Sequence, residues 1–147
     1  MFLESDIHID APSATVWEVF ADIERWPTWT ESVTSLTALD EPTLAVGRRY
    51  EIEQPKFPKL VWTVETLEPG ASWTWSQRSP GMASRAFHWV EPISASQCRA
   101  RMRIEQTGPV AAIVGRLTRK RSLRYLTMEG EGLKRASEQR VRDGATS

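Results

Sequence analysis

One acidic residue lies on an otherwise apolar helix face near the end of this sequence. At about 100° per residue, Glu129 falls in an arc of apolar residues that includes Tyr125, Met128 and Leu133. A carboxylate in such a position is costly unless it is paired or solvated, and burial raises its pKa. Glu129 is therefore a candidate polar contact inside a cavity and a candidate general acid or base. A structural ion pair with an inward arginine is the alternative.

His88 is the second candidate polar group, in a segment (83–91) whose composition predicts a strand. Alternation leaves its direction open, because both the even-numbered residues around His88 and the odd-numbered ones around Trp89 include apolar members. Facing inward, His88 would enter a cavity beneath the sheet. A buried histidine hydrogen-bonded to a neighbour is the alternative.

Several other kinds of chemistry are not expected. Cys98 is the single cysteine, and His8 and His88 are the two histidines, which disfavours a disulfide framework and a histidine- or cysteine-based metal site. There is no G-x-S-x-G motif, zinc signature or glycine-rich phosphate loop. We expect no metal and no cofactor.

Length and composition indicate an ordinary globular protein. The chain has 147 residues, of which 40% are hydrophobic and 26% charged, and we expect a single domain over 1–147 with a disordered tail from about 141. No apolar stretch approaches the roughly 20 residues of a membrane helix, and the first residues lack a signal-peptide pattern. We expect a cytoplasmic protein with no integral membrane segment. The excess of arginine over lysine and the absence of asparagine are typical of a GC-rich bacterial genome.

Periodicity predicts the elements that position the candidate groups. Alternation over 2–10 predicts a half-buried strand, and helical spacing after Pro12 predicts a helix with Ser13 as its N-cap. Pro27 ends that helix or begins a second short one. Residues 110 to about 140 predict one long closing helix. Six short segments separated by turn residues predict an antiparallel meander: about 33–39, 47–54, 60–68, 72–78, 83–91 and 97–107.

The charge distribution predicts no specific partner. Residues 116–124, RLTRKRSLR, carry five bases and no acid, and helical spacing spreads these bases around the helix. A solubilising surface is the simplest interpretation, and the alternatives are an anionic membrane, an acidic carrier protein or an acidic partner subunit. Nucleic acid is not expected, because bases and aromatic residues do not interleave along one face. The zero net charge makes a homodimer possible.

Eight short segments carry a resemblance to a known family. They are AP at 11–12, VWEVFADIERWPTW at 16–29, LEPG at 67–70, WTW at 73–75, PG at 80–81, HWVEP at 88–92, TGP at 107–109 and RYLTMEGEGLKRASE at 124–138. With these segments the sequence resembles, over nearly its whole length, the polyketide cyclase/dehydrase and lipid-transport family of the START-like (SRPBCC) superfamily. The resemblance implies an α+β helix-grip fold, in which a curved antiparallel seven-stranded sheet surrounds a long C-terminal helix and two short helices follow the first strand.

The resemblance also implies a cavity between the sheet and the long helix, with His88 facing inward and with the two short helices and the loop 54–60 beside the mouth. Aromatic-walled pockets with a few polar groups are typical ligand sites, whereas tryptophans that only fill a core are the alternative. The candidate ligand-binding residues are Trp17, Phe20, Trp29, Tyr50, Trp62, Trp73, Trp75, His88, Met102, Tyr125, Met128 and Glu129.

Three functions follow from this pattern. The first is binding of a hydrophobic or aromatic small molecule, lipid-like or polyketide-like, in the cavity. The second is a cyclase, aromatase or dehydratase in which His88 and Glu129 are the catalytic acid and base, since such reactions remove an activated C–H proton and release water. The third is a co-chaperone-like interaction protein that uses the basic segment 116–124.

Overall fold

The computed structural model describes residues 2–145, which form seven strands, two α-helices and one 3₁₀ helix. In chain order these are β1 (Phe2–Ile9), α1 (Ser13–Ala21), the 3₁₀ helix (Ile23–Thr28), β2 (Ser35–Ala38), β3 (Arg49–Glu53), β4 (Leu60–Glu68), β5 (Ser72–Ser79), β6 (Met82–Ser94), β7 (Gln97–Thr107) and α2 (Ala111–Ala145).

The strands form one antiparallel sheet in the order β1-β7-β6-β5-β4-β3-β2. β2 to β7 are a meander, and β1 closes the other edge by pairing with β7, so that Ile7 lies opposite Ala100. The long helix α2 packs across one face of the sheet and contacts β1, β7 and α1. This confirms the predicted helix-grip arrangement and its order of elements.

Alternation along β7 separates a buried sheet face from a charged one. Ala100 and Met102 are buried, whereas the intervening arginines lie on the opposite face. There Arg101 bridges Glu4 and Glu91, with N–O distances of 2.8 and 2.7 Å. Cross-strand pairs of this kind fix the register of neighbouring strands. The buried face is left for α2 and for the interior.

A cluster of aromatic rings anchors the short helices to the sheet. We call Phe20, Trp26, Trp73, Trp75 and His88 the aromatic cluster. The Phe20 and Trp73 ring centroids are 4.8 Å apart in an edge-on arrangement, and the indole N–H of Trp26 donates to the Phe20 carbonyl at 2.8 Å. Edge-on ring pairs add to the free energy gained by burying their area. This cluster fills the core under β5 and β6.

The second half of α2 lies close to its neighbours because two glycines face them. A Cβ on Gly130 would lie 3.2 Å from the terminal methyl of Met102, and one on Gly132 would lie 2.0 Å from the Trp29 carbonyl oxygen. Only a residue without a side chain fits at Gly132. Although α2 has 35 residues, neither it nor any other helix in residues 2–145 is apolar enough to cross a membrane.

The structure differs from the sequence prediction at two helix ends. Ser13 is not the N-cap of α1, because the Pro12 carbonyl accepts the Thr15 and Val16 amides at 3.0 and 3.1 Å and no side chain caps the helix. At the other end, α2 continues to Ala145, so the chain is helical where the tail from about 141 was expected to be disordered. The last part of that expected tail, residues 146–147, lies outside the described residues.

Replacing Gly132 by alanine should destabilise the fold. The added methyl group would overlap the backbone of Trp29, which cannot move without shifting the 3₁₀ helix, so we expect a loss of about 2–4 kcal/mol in unfolding free energy. Gly130→Ala is the matched control. Its methyl group would lie 3.2 Å from the terminal methyl of Met102 and 3.5 Å from Ile7 Cγ2, contacts that a small shift of these side chains relieves, and alanine favours the helix by about 0.5–1 kcal/mol. Urea denaturation of both variants tests this, and equal stabilities would contradict it.

Candidate functional site

A cavity of about 430 Å³ lies between the first half of α2 and strands β4 to β7. The helix contributes one face, from Val114 to Glu129, and Val110, just before its first residue, adds to the same wall. The sheet contributes inward residues of four strands, and the loop after β3 covers one side. The side chains that give the cavity its character are Gln54, Lys56, Phe57, Leu60, Trp62, Gln77, Ser84, Ile104, Gln106, Val114, Thr118, Arg121, Tyr125, Leu126 and Glu129.

Neutral hydrogen-bonding groups form a ledge on the sheet side of this cavity. Gln77 and Ser84 lie opposite each other on β5 and β6, and the Gln77 amide N–H donates to the Ser84 hydroxyl at 3.0 Å. The Ser79 hydroxyl donates to the Gln77 amide oxygen at 2.8 Å. These bonds hold the side chains of the ledge in fixed positions. A ligand oxygen or N–H group can then bind without first ordering them.

The loop after β3 closes against α2 at the mouth of the cavity. The Tyr125 hydroxyl donates to the Pro55 carbonyl at 2.6 Å, and its ring meets Phe57 edge-on at 5.7 Å between centroids. The Arg121 guanidinium lies over the Phe57 ring at 5.5 Å. Lys56, beside them, has a positive φ of 64°. We define the mouth by Lys56, Phe57 and Arg121. Among the described residues that line the cavity, none belongs to α1 or to the 3₁₀ helix, which were also expected beside the mouth.

A smaller inner chamber of about 50 Å³ continues from the cavity towards the aromatic cluster. The two spaces share five lining residues, Gln54, Trp62, Ile104, Leu126 and Glu129. The chamber alone is lined by His88, Trp75 and Met102, among others. Glu129 therefore lies where the wide outer cavity meets the narrow aromatic end.

Glu129 is a buried carboxyl group, 8% exposed. Among residues 2–145 it has no charged partner, and its Oε1 atom has no hydrogen-bond partner. Burial disfavours the ionised form and raises the pKa of Glu129 to about 8. At neutral pH the group is mostly a neutral carboxylic acid, which can donate one hydrogen bond into the cavity.

His88 faces inward, as the resemblance implied, and it is enclosed by the other rings of the aromatic cluster. It stacks on Trp73 with 4.0 Å between centroids, and its Nδ1 lies 3.4 Å from the Trp73 carbonyl oxygen. Burial lowers the pKa of His88 to about 3, so the imidazole is neutral at physiological pH. A neutral ring packed in this way suits a hydrogen-bonding role better than proton donation.

Half of the candidate ligand-binding residues lie at this site. Trp62, Tyr125 and Glu129 line the cavity, and Trp75, His88 and Met102 line the inner chamber. Trp62 joins the two spaces, and its indole lies 6.0 Å from that of Trp75 between centroids. With Trp26, which also lines the chamber, the site combines a carboxyl group, a phenol, an imidazole and three indoles.

The other six candidates do not line either space. Phe20, Tyr50 and Trp73 are fully enclosed in the core, where they pack against other rings. Trp17 borders an outer cleft, and Trp29 borders a surface groove beside α2. Met128 is half-buried on a part of α2 that turns away from the cavity. These six residues therefore pack in the core or lie at the surface, and they do not line the proposed ligand site.

Sequence reasoning missed the neutral polar residues of the site. Gln77 continues the inward alternation of Trp73 and Trp75, so a polar residue at a core position was the available signal. Ser84 is its cross-strand partner and is also buried. Gln54 and Gln106 lie at strand ends, where periodicity does not define a direction. Among residues 2–145 no group of histidine, cysteine and acidic side chains is placed to hold a metal ion.

The sequence matches one protein-family model over most of its length. The model is described as polyketide cyclase/dehydrase and lipid transport, and it covers residues 3–138. No curated protein matches the sequence.

Many solved structures share the fold at low sequence identity. A hypothetical protein from Helicobacter pylori is 17% identical with a TM-score of 0.80, covering 93% of this chain and 88% of its own. The ZhuI aromatase/cyclase from Streptomyces is 16% identical with a TM-score of 0.78, covering 96% and 95%. A START superfamily protein from Mycobacterium smegmatis is 11% identical with a TM-score of 0.73, covering 94% and 97%. These similarities confirm the helix-grip fold.

The burial of Glu129 should make stability fall between pH 6.5 and 8. Above its ordinary pKa of 4.5 the unfolded chain releases this proton, whereas the folded chain keeps it up to about pH 8. The unfolding free energy therefore decreases as pH rises through this window, by up to about 2 kcal/mol from 6.5 to 8. His88 acts in the opposite sense, but only below its ordinary pKa of 6.5.

Glu129→Gln should remove this decrease, because glutamine does not titrate. Exposed Glu131, two residues along α2, is the matched control, and Glu131→Gln should keep the slope of the parent protein. Urea denaturation of the three proteins at pH 6.5, 7.2 and 8 measures the effect. A Glu129→Gln slope equal to that of the parent would show that Glu129 ionises normally.

Proposed function

Because this chain belongs to the polyketide cyclase/dehydrase and lipid transport family, we propose that it binds a largely apolar small molecule, lipid-like or polyketide-like, between α2 and the sheet. The observation that carries this proposal is the cavity of about 430 Å³ with the unpartnered carboxyl of Glu129 at its inner end. Small-molecule sites typically have volumes of about 300–1,000 Å³ and combine apolar walls with a few polar groups.

The polar groups of the site suit a ligand with neutral oxygen atoms along its length. The amides of Gln54, Gln77 and Gln106 can donate and accept, and the protonated Glu129 can donate to a carbonyl or hydroxyl oxygen. Between them lie Trp62 and Leu126, which provide apolar contact. An entirely hydrocarbon ligand would leave the Glu129 oxygen without a partner, at a cost of about 1–3 kcal/mol.

Filling the cavity from α2 should abolish binding. Val114 is half-buried and lines the cavity, so Val114→Trp would place an indole in the ligand space. Leu117 is 81% exposed on the same helix and does not line the cavity, which makes Leu117→Trp the matched control. The neutral fluorescent probe N-phenyl-1-naphthylamine reports occupancy by its increase in emission. We expect Val114→Trp to weaken probe binding at least tenfold and Leu117→Trp to leave it within about twofold.

Loss of binding in both variants, or in neither, would contradict the proposal. Native mass spectrometry of the freshly purified protein complements this test, because a bound natural ligand adds a discrete mass. The Val114→Trp protein should lack that added mass, and its circular dichroism spectrum should match the parent's.

An enzyme that transfers protons is the second candidate, and the raised pKa of Glu129 favours it. A carboxylate with a pKa of about 8 is a stronger base than an ordinary one and is half ionised at mildly alkaline pH. It could remove the proton of a C–H bond next to a ligand carbonyl, with the electron pair moving into the carbonyl oxygen to form an enolate. An amide of the ledge would stabilise that oxygen. ZhuI, with the same fold, is described as an aromatase/cyclase.

Hydrogen–deuterium exchange of 2-tetralone in D₂O, followed by NMR, tests this candidate without the natural substrate. We expect the protein to accelerate exchange at the acidic C–H positions, with a rate that rises as Glu129 ionises around pH 8. Glu129→Gln should remove the acceleration, whereas Glu131→Gln should keep it. Exchange no faster than in buffer, or full activity of Glu129→Gln, would exclude Glu129 as the base.

A further inference from the structure

The bases of this protein are divided into a paired set and an unpaired set. On the outer face of the sheet, Arg85, Arg99, Arg101 and Arg103 each lie 2.6–3.1 Å from a carboxylate oxygen. Such pairs leave little free positive charge. The positive charges of this face are therefore largely balanced by neighbouring carboxylates.

The bases at the mouth and on the adjoining part of α2 have no such partners. Within the described residues, no ion pair involves Lys56, Arg116, Arg119, Lys120, Arg121 or Arg124. Two of them, Lys56 and Arg121, also line the cavity. Unpaired cations at the entrance of a low-dielectric cleft attract anions and raise their local concentration.

The contacts of Arg121 hold its charge at the mouth. Its guanidinium lies 5.5 Å from the Phe57 ring centroid, and this cation–π contact leaves its N–H groups available. Phe57 is itself held by Tyr125, which is bonded to the loop backbone. Lys56 immediately precedes Phe57 on that loop. Two positive groups thus line the entrance, one carried by the loop and one by α2.

No ionised acid opposes these charges along the cavity. Among the described lining residues Glu129 is the single carboxyl group, and it lies at the inner end, mostly protonated at neutral pH. An anion at the mouth would therefore meet two cations and no fixed negative charge. An anion at the inner end would have to lose its hydration next to Glu129, which is itself mostly uncharged there.

We propose that the mouth selects an amphipathic anion, whose carboxylate, phosphate or sulfonate group is bound by Lys56 and Arg121 while its apolar body fills the cavity. This inference rests on the proposed binding function and adds the charge and orientation of the ligand. The apolar end enters first, towards Trp62 and Glu129, and the anionic group stays at the hydrated mouth. The basic segment then contributes to ligand selection as well as to the surface charge.

Two fluorescent probes with the same ring skeleton distinguish binding of an anionic group at the mouth from apolar binding in the cavity. N-Phenyl-1-naphthylamine is neutral, and 8-anilinonaphthalene-1-sulfonate has the same rings with one sulfonate group. We expect Arg121→Gln to weaken sulfonate binding about tenfold, the loss typical of a charged hydrogen bond, and to leave the neutral probe within twofold. Lys56→Gln should act in the same direction. Arg121→Lys, which keeps the charge, should retain most of the sulfonate affinity.

The control is Arg119→Gln, which removes an exposed charge of the same helix that does not line the cavity, and it should change sulfonate affinity less than threefold. Raising the salt concentration should weaken binding of the sulfonate and not of the neutral probe.

Equal effects of Arg121→Gln and Arg119→Gln would overturn the inference and reduce the segment to a general cationic surface. Unchanged sulfonate binding in Val114→Trp would overturn it as well, by placing that probe outside the cavity. Binding of the neutral probe alone would refute the anion selectivity and leave the proposed function standing, and binding of neither probe would refute both.

Discussion

The position of the long helix depends on the close contact between Gly132 and the backbone of Trp29. The absence of a side chain lets α2 approach the end of the 3₁₀ helix, where an added Cβ would lie 2.0 Å from a carbonyl oxygen. Gly130 permits a similar approach to Met102 on the sheet. The second half of α2 is fixed by these contacts, and the first half borders open space above β4 to β7. The cavity is thus a consequence of where one end of a rigid helix is anchored.

The helix that closes the cavity also carries its least favourable residue. Leucine at position 129 would continue the apolar face of α2 and remove the cost of a buried carboxyl group. Among residues 2–145, the protein instead holds Glu129 without a hydrogen-bond partner for one of its oxygens, in a wall that it shares with Trp62 and the amide of Gln54. Stability alone does not account for this choice. A group that is destabilising when the cavity is empty, and satisfied when a ligand oxygen reaches it, makes binding itself a source of stability.

The periodicity of the sequence was sufficient to locate the helices and strands. It was not sufficient to tell which inward-facing residues are enclosed in the core and which line a cavity. Alternation and turn residues located all seven strands, and helical spacing identified Glu129 as an acid on an inward face. The same reasoning grouped Trp73 with Trp75 and could not see that Trp73 is enclosed by the aromatic cluster while Trp75 reaches the inner chamber. Alternation with a period of two residues assigns each side chain to one face of the sheet. The distance between that face and α2 then determines whether the side chain is packed in the core or borders the cavity. Gln77 was missed because it is a polar residue at a position where the alternation of the strand predicts an apolar one.

The two ends of the cavity impose different electrostatic conditions, and both candidate functions depend on that difference. At the inner end, burial disfavours the ionised form of Glu129, which therefore keeps its proton. At the mouth, Lys56 is exposed to solvent and Arg121 is half-buried. A ligand that satisfies both ends must be polar at its outer end and uncharged at its inner end. In the proposed orientation, a ligand with a carbonyl group at its inner end would present it to Glu129, where it could accept a hydrogen bond from the acid or lose a neighbouring proton to the carboxylate. The two candidate functions therefore predict the same pose and differ in the protonation state of Glu129 that each requires.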